Sequence, residues 1–160
     1  MSQRVSTAGL ILSYCVETTA GTRPSTGFTK IPEVKSMPSL NPAPNGIDVT
    51  PLSEEVAIQY INGLKDFGGS LEFNANNTDD LYTAWVALIS AYTTGQSATP
   101  AKATWFCISH PKLTKAAYFK GEPAPYGWNG AEVNAAYDTT LYIAPQSSPV
   151  YEAAPTFVSA

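Results

Sequence analysis

The single histidine, His110, closes an apolar run and is followed at once by Pro111. Acid–base or nucleophilic chemistry there would need a carboxylate, serine or cysteine brought to the imidazole. No neighbour in sequence supplies one, so a structural imidazole is expected. Serines are frequent, but no G-x-S-x-G occurs, and a Ser-His-Asp triad would have to be built wholly from distant residues. Asp79-Asp80 has the charge to hold a cation, yet it directly follows Asn77-Thr78 and precedes an apolar periodic run, where carboxylates favour the positive end of a helix. Glu54-Glu55 precede a strand-like stretch and are expected to face solvent. Gly63, Gly68 and Gly69 are followed by no G-K-[ST], so they form no phosphate loop. Cys15 and Cys107 lack metal-ligand spacing and are too few for a disulfide framework, which leaves two reduced, packed thiols. The best case for a ligand is Tyr126 with Trp128 in the loop Glu122 to Gly130, where the rings could stack on a sugar; burial in the fold or against another subunit is the commoner fate of such rings. The residues therefore predict no catalytic, cofactor or metal site.

The elements that would position any site are organised around Gly68 to Tyr92. In Ser70 to Asn76, Leu71, Phe73 and Ala75 alternate with Ser70, Glu72, Asn74 and Asn76, the period of a strand with one apolar and one polar face. Asn77 or Thr78 then caps a helix predicted over about 79–93, with Gly95 placed to end it. Leu81, Trp85, Leu88, Ile89 and Tyr92 fall on one stripe of that helix. Its burial is worth on the order of 10 kcal/mol gross, at about 2 kcal/mol per side chain. The opposite face carries Thr83, Ala87, Ser90 and Thr94, with no charge from Leu81 to Ala101. Ala84 to Ile89 is the longest apolar stretch here, too short to span a membrane. A small, uncharged helix face is one that a neighbour could cover.

Only 14% of the 160 residues are charged, against about 25% in ordinary soluble domains. Such a surface is suited to contact. The net charge of −4, with the acids concentrated in the first half, argues against a protein that grips phosphates. The apolar run Leu10 to Leu12 is too short for the core of a signal peptide, so synthesis in the cytoplasm is expected.

In chain order, a segment 1–8 precedes a strand within Gly9 to Val16, and Glu17 to Thr29 reads as a loop. Ile31 to Leu40 is extended, and Asn41 to Asn45 with Gly46 is too rich in proline and glycine for regular structure. That stretch could project as a stiff arm, 40–52. Glu54 to Asn62 alternates and reads as a strand, with Gly63 to Gly69 turning it into the organising strand. Thr104 to Ser109 reads as a strand buried on both faces, Ala116 to Lys120 as a short strand, and Glu132 to Ile143 as a long strand with Val133, Ala135, Tyr137, Thr139, Leu141 and Ile143 on one face. The segment 145–160 reads as a tail without structure of its own. The expected fold is a single α+β or mainly β domain, a sandwich or barrel-like sheet with one flanking helix and long loops or arms.

Ile47-Asp48-Val49-Thr50-Pro51-Leu52, then Tyr60-Ile61-Asn62-Gly63-Leu64-Lys65-Asp66-Phe67-Gly68 and the strand Leu71-Glu72-Phe73, resemble the I-D-V-T-x-L … Y-I-x-G-L-x-D-x-G pattern of the major tail tube proteins of long non-contractile-tailed bacteriophages. Glu17 to Thr22, Phe28 and Ile31 to Val34 are similar to the beginning of that family, and the matching order covers roughly residues 10–95. The resemblance implies a structural virion protein in the phage tail, made in the host bacterial cytoplasm. Six protomers would form a ring, and stacked rings the tube that conducts the genome. Implied partners are further copies of the chain, a tape-measure protein, a tail terminator and tail-tip proteins, with DNA passing through unbound. On that basis Leu40, Pro42, Pro44, Ile47, Asp48 and Thr50 of the arm, Thr83 and Ser90 of the helix, and Tyr151 and Phe157 of the tail become inter-subunit candidates. Glu72, Asn74 and Asn76 become candidates for the lumen, where an acidic or neutral wall would not hold DNA by its phosphates. Two alternatives stand beside this reading: a small glycan-binding or virion-surface β-sandwich module, and the tube subunit of a contractile tail or secretion system.

Overall fold

The structure, a computed structural model, describes residues 4–158; the parts of the expected terminal segments that fall on 1–3 and 159–160 lie outside the described residues. In chain order the elements are β1 (Ile11–Val16), β2 (Thr26–Lys30), β3 (Val34–Ser36), β4 (Pro44–Asp48), β5 (Tyr60–Lys65), β6 (Leu71–Asn76), α1 (Asp79–Ser97), β7 (Thr104–Ser109), β8 (Lys115–Pro123), β9 (Asp138–Pro145), β10 (Val150–Ala153) and β11 (Thr156–Phe157). The fold is mainly β with one helix, as expected: a curled sheet forming half a barrel around that helix.

One 9-stranded sheet runs β11-β2-β1-β7-β8-β9-β6-β3, with β10 also on β8. β8 is its corner. Along one edge its first residues pair with β10, Tyr118 opposite Val150, and its last residues pair with β9, Pro123 opposite Ile143. The inner face carries Leu12, Phe73, Phe106, Phe119, Leu141 and Ile143, closed by Leu81, Trp85 and Leu88 of α1. The outer face of the β2-β1-β7-β8 half carries a second cluster, Phe28, Trp105, Cys107, Ala116 and Tyr118. β7 is thus buried on both sides, as its unbroken apolar run predicts.

α1 starts where its sequence says. The Thr78 side chain accepts from the Leu81 N–H at 3.2 Å, and Asp79 and Asp80 occupy the first turn. Trp85, 1% exposed, also donates from Nε1 to the Ala124 carbonyl at 2.8 Å. The helix does not stop at Gly95 but continues to Ser97. Gly95 is buried, and a Cβ there would lie 2.9 Å from both the Lys102 carbonyl oxygen and Val16 Cγ1. This glycine serves close packing.

Six further expectations are corrected. Glu17 to Thr29 contains β2, because the wholly buried Phe28 anchors it to the second cluster. The proline-rich stretch is not irregular throughout: Pro44 to Asp48 form β4, in which Pro44 lies opposite Lys65 at the edge of a two-stranded ladder, a position that proline tolerates. The strand expected over Glu54 to Asn62 instead begins at Tyr60 and runs through Gly63 to Lys65. Upstream, the Glu54 carboxylate accepts from the Val56 N–H at 2.8 Å, and the Thr50 hydroxyl accepts from the Gln59 N–H at 2.7 Å. Those local bonds compete with a ladder. β8 runs on through Gly121 to Pro123, beyond the expected end at Lys120, and of the long last strand only Asp138 onward is β. Val133 lies in a loop and is 88% exposed. Finally, the tail has structure: β10 adds to β8, β11 pairs in parallel with β2, and Tyr118 donates its hydroxyl hydrogen to the Ala153 carbonyl.

Candidate assembly surfaces

The groups best suited to chemistry are committed inside the fold. His110 is buried, with Nε2 2.8 Å from the Ala8 carbonyl oxygen and Nδ1 accepting from the Lys112 N–H at 3.0 Å. Both ring nitrogens thus hold a loop. Burial pushes the Cys107 thiol up to about 11 and raises Cys15 as well, which keeps both protonated at neutral pH. Among the described residues no three His, Cys, Asp or Glu side chains gather as a metal would require. Tyr126 and Trp128 do not form one platform. Tyr126 packs edge-on to Tyr82 at 5.4 Å and hydrogen-bonds Asn77, whereas Trp128 packs on Tyr137 at 5.8 Å.

One buried group was not singled out from the sequence. Glu17 accepts from the Ala103 N–H at 2.8 Å, the Trp105 indole N–H at 3.0 Å and the Gly21 N–H at 3.2 Å. Desolvation alone would raise its pKa, but these donors, with Lys120 nearby, hold the carboxyl below its ordinary value of 4.5. It pins the loop after β1 to the start of β7. Its only sequence signal is a carboxylate at a strand end before a Gly/Thr loop.

The surfaces that remain are large. β4 and β5 form a hairpin that pairs with no other strand among the described residues. On it and its connecting loop Ile47 is 49% exposed, Leu52 106%, Val56 94%, Ile58 61%, Ile61 53% and Leu64 86%. An isolated two-stranded ribbon is marginal in water, and this one exposes large apolar side chains on both of its faces. Of the arm residues read from the sequence, Ile47 and Asp48 are exposed, and Pro42, Pro44 and Thr50 are partly buried. Leu40 packs on the chain's own core.

The outer face of α1 carries Thr83 and Ser90, both exposed, beside Tyr82 at 53% and Val86 at 45%. The tail residues separate. Tyr151 is 60% exposed, whereas Phe157 packs on the chain's own second cluster, with Lys30 Nζ 4.8 Å from its ring centre.

The polar face of β6 is continuous with that of β9, since Glu72 pairs with Tyr142, Asn74 with Thr140 and Asn76 with Asp138. Its charges are mostly acidic: Glu72, Glu132 and Asp138 border a cleft of about 610 Å3, and Lys35 pairs with Asp138 at 3.0 Å. Asn76 donates to Glu33 at 3.0 Å, and the Asn74 side-chain oxygen has no hydrogen-bond partner among the described residues. No helix among the described residues is long and apolar enough to cross a membrane.

The described residues thus form a mainly β half-barrel closed by the inner face of one helix, with an apolar arm standing free of the main sheet. Known proteins of similar fold include a chain in the cryo-EM structure of the anti-feeding prophage baseplate, 6-fold symmetrised, with a TM-score of 0.59, 11% identity, and coverage of 96% of this chain and 98% of that one. At that identity the likeness is one of fold. No protein-family model and no curated sequence matches the chain.

Proposed function

We propose that this chain is a structural subunit of a phage-type tail, assembling with copies of itself as rings stacked into a tube through which a genome passes. The observation that carries this reading is the end-to-end likeness of fold to a subunit of a six-fold prophage assembly. The unpaired apolar hairpin supports it, because eight large apolar residues between Ile47 and Leu64 stand in water unless another molecule covers them. The uncharged outer face of α1 supports lateral contact, and the acidic β6–β9 face is suited to a wall that DNA slides past. The role is structural and not catalytic. Tape-measure, terminator and tip proteins are the partners that such a tube requires. The likeness to a baseplate chain keeps the tube of a contractile tail or secretion system beside the non-contractile reading.

Negative-stain electron microscopy across a concentration series of the purified chain tests the proposal. Hollow tubes or six-fold rings are expected. Monomers at every concentration, persisting after addition of preformed tail-tip complex, would overturn it.

A further inference from the structure

Three asparagines are followed directly by glycine: Asn45-Gly46, Asn62-Gly63 and Asn129-Gly130. In such a pair the glycine nitrogen can attack the side-chain amide carbon, because no Cβ screens it and its backbone turns freely. The sequence ranks the three alike, and the fold separates them. Gly46 lies opposite Asn62 in the β4–β5 ladder, and Asn45 is held in the same ladder. At Gly63 the Asn45 carbonyl oxygen stands 2.8 Å from where a Cβ would be, so that backbone is closely packed as well. A paired, extended backbone cannot bend back to close a five-membered ring on the preceding side chain, and attack must wait for the ladder to open.

Asn129-Gly130 has no such restraint. Both residues are exposed, and 124–132 form no helix, strand or turn. Among the described residues the Gly130 N–H makes no hydrogen bond. Beyond its chain neighbours no atom stands within 4 Å of a Cβ placed on Gly130. The Asn129 side chain is held by Nδ2 donating to Thr140 Oγ1 at 2.9 Å, an exposed bond that water can replace at little cost.

We infer that Asn129 is a site of spontaneous deamidation in the folded chain, whereas Asn45 and Asn62 are protected. The Gly130 nitrogen loses its proton to water and bonds to Asn129 Cγ; the Cγ–Nδ2 bond breaks, and Nδ2 leaves as ammonia. Water then opens the resulting cyclic imide at either carbonyl, giving aspartate or isoaspartate. One water is consumed, one ammonia is released, and nothing is oxidised or reduced. Asn129 lines the cleft of about 610 Å3 that Glu72, Glu132 and Asp138 border. The product places a further carboxylate there and adds one negative charge to the formal net charge of −4. The acidity of this face thus increases with the age of the chain, whatever the chain assembles into.

The test holds the purified full chain at mildly alkaline pH, dilute enough to stay monomeric, with a parallel sample in urea. Chymotryptic peptides taken over several days are sequenced by mass spectrometry for replacement of the amide NH2 by OH at each asparagine. In the folded chain Asn129 should convert at least about tenfold faster than Asn45 and Asn62, and in urea the three rates should agree within about threefold. Gly130→Ala should slow conversion at Asn129 by about tenfold or more and leave the melting temperature unchanged, since its Cβ enters open space. Conversion of Asn45 or Asn62 as fast as that of Asn129 in the folded chain would overturn the inference. So would an Asn129 rate indifferent to Gly130→Ala, or no conversion at Asn129 in the folded chain while it proceeds in urea.

Discussion

Replacing Trp85 by alanine should nearly unfold the protomer. The indole is 1% exposed between α1 and the sheet, and its Nε1–H reaches the Ala124 carbonyl at 2.8 Å. Removing a buried tryptophan costs about 3–5 kcal/mol through lost transfer energy and the cavity left behind. Stranding the Ala124 carbonyl adds about 1 kcal/mol. A domain of this size has a net stability of about 5–15 kcal/mol, so most of it is at stake. With a urea slope of roughly 2 kcal/mol per M, the midpoint should fall by about 2 M. The assay is urea unfolding followed by far-ultraviolet circular dichroism, at concentrations where the chain is monomeric. Trp85→Phe fills much of the space without the donor and should show a smaller loss. A midpoint within about 0.5 M of wild type for Trp85→Ala would refute the placement of this side chain at the centre of the core.

Glu17→Gln should cost about 1.5–3 kcal/mol at pH 7, because three N–H donors lose an ionised acceptor. The folded-state pKa is depressed, so this contribution is fully present above the ordinary 4.5 and is lost as pH falls through the lower folded value. Wild-type melting temperature should therefore drop more steeply in acid than that of the variant, and parallel curves would count against the account. Gly95→Ala should lower the melting temperature although alanine favours helices by about 1 kcal/mol, because its Cβ meets Lys102 and Val16; a rise would show that the two elements can separate at little cost. Truncation after Pro145 removes β10 and β11 and uncovers Phe28 and Tyr118. The expectation is a destabilised chain that binds a hydrophobic dye, and an unchanged melting curve would mean that the tail contributes nothing to its own protomer.

Periodicity and capping determined much of this protein directly. The alternation of Leu71, Phe73 and Ala75, the Thr78 cap with Asp79 and Asp80, and the stripe of Leu81, Trp85 and Leu88 are properties of a few consecutive residues, and they hold in the fold. The doubly buried β7 was legible for the same reason. Alternation alone does not make a strand, however. Val56 and Ile58, like Val133 and Ala135, alternate but lack a sheet edge to pair with, and local side-chain bonds or turns take their backbone. Conversely, Pro44, the segment around Phe28, and the tail after Pro145 look irregular in sequence yet enter ladders, because a partner strand distant in the chain supplies the hydrogen bonds. Tertiary structure also decided the surfaces. The residue types of the arm are visible in sequence, but that Ile47 to Leu64 stand free while Leu40 and Phe157 pack inward depends on which faces the half-barrel closes.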